Sequence, residues 1–256
     1  MNVDVVRREG VVEITLDRPD KRNAMTDAMW NRLDEILQGI DAGGRDRVLV
    51  VTGAGGAFCG GSDVGGLLND LDSLPDRIAV SNRCVLAMRE LGLPTIAKVS
   101  GVAAGSGANL ALACDFVVAD ERARFAQLFI HRGLSLDSGA SWLLPRLVGE
   151  RKARELCLLG RTVPADEAMS LGMLTELVDS PQLDARVQEL ARTLVGFSAP
   201  ALAGTKRMLD HSWKGDLAGA LHAEAENQVR VITTDAARDG ISSFGATPTR
   251  STPDGR

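Results

Sequence analysis

The chain has 256 residues, 45% apolar, 25% charged and 4% aromatic with no tyrosine, the balance of a globular protein able to build a sizeable core. Its 29 Lys and Arg against 34 Asp and Glu leave a formal charge of −5, which disfavours a general nucleic-acid or anionic-lipid binder. The longest strongly apolar uncharged run, residues 99–114, falls short of the roughly 20 residues that a spanning helix needs, and the opening MNVDVVRREG has no hydrophobic signal segment. A cytoplasmic protein that spans no membrane is therefore expected.

In chain order, residues 3–7 and 11–16 read as short strands, residues 26–40 as a helix, and residues 47–52 as a strand. Thr26 is a good N-cap, and Met29, Leu33, Ile36, Leu37 and Ile40 recur at helical spacing on one face. The run Val48 to Val51 lacks polar alternation, as expected of a strand covered on both faces, and empties into the glycine-dense GAGGAFCGGSD. A second helix-like stretch follows the loop at residues 70–75. Pro94 then restarts the chain as a strand, TIAKVS, leading into a second small-residue segment, GVAAGSGANLALAC. A strand, glycine turn, helix unit thus occurs twice. Residues 115–119 and 123–126 read as further short strands, and from Ser138 onward the pattern is mostly helical, with a break at Gly160 and Pro164. This predicts an α/β core over residues 1–195 and a helical region over 196–256 whose tail, from about residue 246, is disordered. Cys59, Cys84, Cys114 and Cys157 form no Cys-x-x-Cys, and His131, His211 and His222 form no His-x-x-x-His, so reduced core thiols and no metal site are expected.

A glycine turn between a buried strand and a helix leaves N–H groups without acceptors, and two such turns can converge on one oxygen. Ser62, after Gly60 and Gly61, and Ser106, between Gly105 and Gly107, hold corresponding places in the two units. Their amides are candidates for an oxyanion hole, against the plainer alternative that these glycines only permit tight packing. Other readings fail on detail. Gly105-Ser-Gly107 continues as Ala108-Asn109 without the third glycine of a dinucleotide fingerprint, and Gly61 is followed by Ser62-Asp63 rather than a phosphate-loop Lys. A serine-hydrolase elbow around Ser106 would need glycines where Ala104 and Ala108 stand.

Four segments, RPDKRNAM from Arg18, GGAFCGGSDV from Gly55, VSGVAAGSGANLALACD from Val99 and RGLSLDSGASWLLPRLVG from Arg132, resemble in order and spacing the crotonase superfamily of enoyl-CoA hydratases and isomerases. The resemblance covers about residues 3–245. It implies a spiral of β-β-α turns, a helical C-terminal region that mediates trimers or hexamers, and an acyl-coenzyme A thioester as the small-molecule substrate. The coenzyme arrives as part of that substrate, with no separate cofactor. It also maps the family's oxyanion hole onto the backbone amides of Ser62 and Ser106, beside Gly61 and Gly105. Arg18, Lys21 and Arg22 match the segment near the coenzyme A phosphates, where cations would pair with them; a solvated basic turn is the alternative.

Hydratases of this family use two glutamates to activate water, and their places here hold Asn109 and Phe129, neither of which can exchange a proton with water as a carboxylate does. Asp137 instead stands where several isomerases of the family keep a catalytic aspartate, and DSGASWLLPRLVG looks most like the isomerases of phenylacetate degradation. An apolar wall of Phe129, Leu134 and Leu136 would desolvate Asp137 and raise its pKa; the alternative role for this residue is a helix N-cap. Asn109 either lines the pocket or is a hydrogen-bonded inner helix residue, and Asp63 is read as tying down its own loop as well as lying beside substrate. His131 and Arg132 are read as a surface pair and Trp142 as core. The resulting expectation is an enoyl-CoA isomerase. The alternatives are a hydratase, a substitution on an aromatic acyl-CoA as in the family's chlorobenzoyl-CoA dehalogenases, and a catalytically silent acyl-CoA-binding subunit.

Overall fold

The computed structural model describes residues 3–65, 67–212 and 215–245, so the tail expected to be disordered from about residue 246 lies outside the described residues. The chain divides into two compact units, Met1–Gly196 and Phe197–Arg256.

The first unit opens with β1 (Val3–Arg8) and β2 (Val11–Leu16), an antiparallel hairpin turned at Glu9 and Gly10, both with positive φ. Helix α1 (Asp27–Gln38) follows, its Thr26 cap accepting a hydrogen bond from the Met29 amide, and it buries Met29, Trp30, Leu33, Ile36 and Leu37, while Ile40 lies past its end. Each of these large side chains contributes about 1.5–3 kcal/mol by leaving water, against about 1 kcal/mol for the cap. Thr26→Ala is accordingly expected to cost about 1 kcal/mol in urea unfolding without changing the fold.

Strands β3 (Val48–Gly53), β4 (Thr95–Val99) and, later, β6 (Phe116–Asp120) and β9 (Glu176–Val178) extend the hairpin in parallel to a six-stranded sheet of order β1-β2-β3-β4-β6-β9. Residues Val48 to Thr52 of β3 are all buried, as its uninterrupted apolar run requires of a strand covered on both faces. A second sheet is built from β5 (Val102–Ala104), β7 (Arg124–Ala126) and β8 (Thr162–Pro164), in that order. Cys59 joins its edge through a single parallel bridge to Ala103. The chain therefore winds as a spiral in which β4 and β6 of the first sheet are each followed at once by a strand of the second.

Helices α2 (Leu74–Glu90), α3 (Ser106–Leu112), α4 (Ala140–Val148), α5 (Glu150–Leu159), α6 (Ala165–Ser170) and α7 (Leu183–Val195) complete the unit, with α3 buried along its whole length. The short strand β8 falls at the break expected at Gly160 and Pro164, and β9 interrupts what the sequence reads as mostly helical; at three residues each they carry no measurable periodicity. The two glycine units also differ. After β5 the chain enters α3 directly at Ser106, whereas after β3 the next α-helix begins only at Leu74, so Ser62 does not open a helix. The second unit contains α8 (Ala199–His211), α9 (Leu217–Ile232) and α10 (Asp235–Gly245).

All four cysteines are thiols outside any disulfide, with Cys59, Cys84 and Cys114 buried. Among the described residues no three His, Cys, Asp or Glu side chains group as metal ligands, and no helix is long and apolar enough to cross a membrane.

Candidate active site

The glycine loop after β3 is shaped by Asn23, a fully buried residue with φ of 56°. Its carboxamide accepts from the Arg18 amide at 2.8 Å and donates to the Ala54 and Ala57 carbonyls at 2.8 and 2.7 Å, so one side chain clamps both ends of the turn. A Cβ on Gly53 would overlap the Ala57 and Phe58 carbonyls, which is why glycine stands where the strand ends. Asn23→Ala leaves those carbonyls buried without donors and is expected to cost about 3 kcal/mol, read as a lowered urea midpoint at unchanged slope.

Beyond the turn, residues 59–63 run between two partners. The Cys59 amide donates to Val102 and its carbonyl accepts from Ala104, while on the other side Met25 donates to the Gly61 carbonyl and Asp63 donates to the Met25 carbonyl, each at 2.8 or 2.9 Å. Met25 pairs with this segment through a parallel bridge to Ser62, in which the Gly61 carbonyl and the Asp63 amide face Met25, so the Ser62 amide points away from it. Close approach there needs glycine. Gly61 has φ of 97° and a Cβ on it would sit 2.8 Å from the Ala104 carbonyl oxygen, while a Cβ on Gly107 would sit 2.6 Å from Cys59. Burial in this packing pushes the Cys59 thiol up to about 12, and its S–H donates to the Asn23 carbonyl. It is therefore a neutral core thiol.

The two serines meet across this contact, with their hydroxyl oxygens 2.9 Å apart, and the Trp30 indole N–H donates to Ser62 Oγ at 3.1 Å. The backbone amides of Ser62 and Ser106 have no acceptor among the described residues. Both residues line a cavity of about 320 Å³, together with Gly61, Gly105 and Trp30, the apolar Leu67, Leu74, Ile78, Leu128, Phe129, Leu134 and Leu136, and the cationic Arg77 and Arg132. That volume is within the range of small-molecule sites.

Asp137 also lines this cavity. It lies ahead of α4 in a backbone held by the left-handed pair Ser138, with φ of 50°, and Gly139, with φ of 82°. Its carbonyl accepts from Asn109 Nδ2 at 3.1 Å, and Asn109 Oδ1 in turn accepts from Gln127 at 2.8 Å. Its carboxylate accepts a hydrogen bond from the Ser138 hydroxyl at 2.9 Å and has no cationic partner among the described residues. Burial raises its pKa above the ordinary carboxylate value, with the Ser138 bond opposing only in part. The two other aspartates on the cavity wall are neutralised: Asp27 pairs with Arg77 at 2.9 Å and Asp63 with Arg18 at 2.7 Å.

The structure thus brings Ser62, Ser106, Gly61, Gly105, Asp63, Phe129 and Asp137 to one cavity and separates others from it. Asn109 does not line it; fully buried between Asp137 and Gln127, it positions the aspartate's backbone. Arg18 spends its guanidinium on Asp63 and the Ala24 carbonyl and does not reach the cavity as a free cation. Asp63 is held below the usual carboxylate range first by the Gly65 amide and then by Arg18, as a loop anchor would be. Lys21 and Arg22 are exposed outside the lining, on the short turn whose Arg22 carbonyl accepts from Gly60. Asp137 makes no side-chain cap, since Gly139 precedes the first residue of α4. Trp142 is not core: it is 39% exposed, with the Arg146 guanidinium 4.1 Å from its ring centroid. His131 is exposed and hydrogen-bonded to the Gly160 carbonyl. Trp30, Asn23 and Ser138 were not singled out by sequence pattern. Trp30 falls outside the apolar stripe assigned to its helix, and the other two are polar residues with left-handed backbone whose side-chain partners only the folded chain supplies.

Residues 6–249 match the family model described as enoyl-CoA hydratase/isomerase. The chain belongs to this family. A 1,2-epoxyphenylacetyl-CoA isomerase of Escherichia coli K12 is 35% identical over 243 residues, covering 92% of each chain. Among solved structures, an enoyl-CoA hydratase of Bacillus anthracis superposes with a TM-score of 0.91 at 29% identity, covering 96% of each chain. A Thermobifida fusca YX protein in complex with acetoacetyl-CoA superposes at 0.85 with 31% identity, covering 90% of this chain and 94% of that one. The fold is the crotonase-like spiral that the four sequence segments imply.

Proposed function

We propose that this member of the enoyl-CoA hydratase/isomerase family moves a carbon–carbon double bond within an enoyl-CoA, with Asp137 as the proton carrier. The observation that carries this reading is the state of Asp137: among the described residues it is the cavity carboxylate without an ionic partner, and burial raises its pKa. Kinship supports the substrate class, since one relative acts on an acyl-CoA and one structural neighbour holds acetoacetyl-CoA.

In this scheme the thioester oxygen accepts hydrogen bonds from the Ser62 and Ser106 amides, which are fixed before the reaction and need no reorganisation as charge develops. Asp137 removes the proton α to the thioester. The C–H electron pair enters the conjugated system, placing negative charge on the held oxygen, and Asp137 returns the proton at the γ carbon. The double bond thereby passes from the β,γ to the α,β position, and no water, redox partner or separate cofactor is consumed. Lys21 and Arg22 are assigned to the coenzyme A phosphates, and assembly as a homotrimer or a dimer of trimers belongs to the same proposal.

Addition of water is the weaker reading here. It calls for carboxylates that hold and deprotonate a water molecule, and Asp27 and Asp63 are each tied to an arginine. The deciding experiment incubates the purified protein with a 3-enoyl-CoA in deuterated buffer and follows product mass. An isomer without the mass of added water supports the scheme; formation of 3-hydroxyacyl-CoA as the main product overturns it. Because Asp137 must be ionised to accept the proton and its pKa is raised, kcat/KM is expected to climb with pH through an inflection above the ordinary carboxylate range. An inflection at or below that range would contradict the role of burial.

A further inference from the structure

The hydroxyl pair beside the two free amides has a hydrogen-bond balance of its own. Trp30 Nε1–H can only donate, so Ser62 Oγ is its acceptor. Between Ser62 Oγ and Ser106 Oγ a single proton is shared, and two hydroxyls supply two protons, so one remains. Burial decides which. Ser106 is only 2% exposed and has no other side-chain partner among the described residues, whereas Ser62 is exposed to the cavity. A buried hydroxyl proton left unbonded is costly, so Ser106 donates to Ser62. Ser62 Oγ then accepts from both Trp30 and Ser106, both its lone pairs are engaged, and its own O–H has no direction left but into the cavity. Two donors on one oxygen also polarise its remaining O–H bond.

We propose that the Ser62 hydroxyl, set by Trp30 and Ser106, is a third hydrogen-bond donor to the thioester oxygen held by the two amides, and that it acts mainly on the charged, enolate form. A serine's hydroxyl and its own amide lie close enough to address a single oxygen, so no movement of the loop is required. Trp30 and Ser106 Oγ are positioning groups in this arrangement, since they reach the substrate oxygen only through Ser62. The inference rests on the oxyanion site proposed above.

The test uses acetoacetyl-CoA as probe, because its bound enolate is read directly by near-ultraviolet absorbance. Ser62→Ala is expected to lower the ionisation constant of the bound probe about 10- to 100-fold, the size of a hydrogen bond to a charged group. The affinity for butyryl-CoA, whose neutral carbonyl gains little from a third donor, is expected to change far less. Trp30→Phe and Ser106→Ala are expected to lower the ionisation constant by smaller factors, and to add nothing in the Ser62→Ala background. Melting curves and butyryl-CoA affinity identify any variant whose loop has collapsed. An unchanged ionisation constant in Ser62→Ala, or equal losses for butyryl-CoA and the enolate, overturns the third donor while leaving the two amides in place. Failure of the unaltered protein to bind acetoacetyl-CoA overturns the oxyanion site itself, and the third donor with it.

Discussion

Asp137→Asn is expected to lower kcat on a 3-enoyl-CoA by about 10²- to 10⁴-fold, the range for losing a positioned general base, while binding of a saturated acyl-CoA is little affected. The substitution keeps the shape of the side chain and an oxygen for the Ser138 hydroxyl, so what it removes is the capacity to take up a proton. Its effect on stability should run the other way. A carboxyl group whose pKa is raised in the folded protein ionises first in the unfolded chain. Stability therefore falls as pH rises through the unfolded value and stays reduced above the folded one. At neutral pH the asparagine variant is expected to melt at the same temperature as the parent or slightly higher, and at strongly acidic pH the difference should vanish. Steady-state kinetics and melting curves at two pH values check both halves. Turnover unaffected by the substitution would remove Asp137 from the chemistry and leave a binding role or an unassigned base.

The second large effect is expected at Ser106, where the backbone amide can be deleted by design. Ser106 is the first residue of α3, a position at which proline's fixed φ suits the helix and its missing N–H breaks no intrahelical bond. Ser106→Pro therefore removes the proposed oxyanion donor with little demand on the fold, and Ser106→Ala is the control that removes only the hydroxyl. The proline variant is expected to lose about 10²- to 10³-fold in kcat, well beyond the loss in the alanine variant. Equal rates for the two would mean that this amide does not hold the oxygen. Circular dichroism and urea unfolding report whether α3 is retained.

The two largest effects thus fall on residues that contribute little to the core. Asp137 sits in a backbone bent through two left-handed residues, and the amides of Ser62 and Ser106 are left without acceptors among the described residues. These are local costs accepted where the chain is held by Asn23, Asn109 and close glycine contacts.

Much of this protein was legible in its residues alone. Periodicity marks α1 and its Thr26 cap, the apolar run marks β3 as a buried strand, and the glycine-serine turns mark the loops that carry Ser62 and Ser106, because all of these follow from local backbone preference and burial. Four segments in register identify the family, and the absence of glutamate at Asn109 and Phe129 narrows the chemistry. What the sequence could not contain is distance. Asn109 and Arg18 belong to segments that surround the site, yet one is consumed holding Asp137's backbone and the other holding Asp63. Trp142 has the composition of a core residue and lies at the surface, stacked on arginine. The strands β8 and β9 exist because neighbouring strands pair with them rather than through any pattern of their own. Only the folded chain brings Trp30 onto Ser62 and Ser62 onto Ser106, separated by 32 and 44 residues. Hydrogen-bond partners so far apart are chosen by the spiral's packing, whereas local sequence determines only that each turn is able to form.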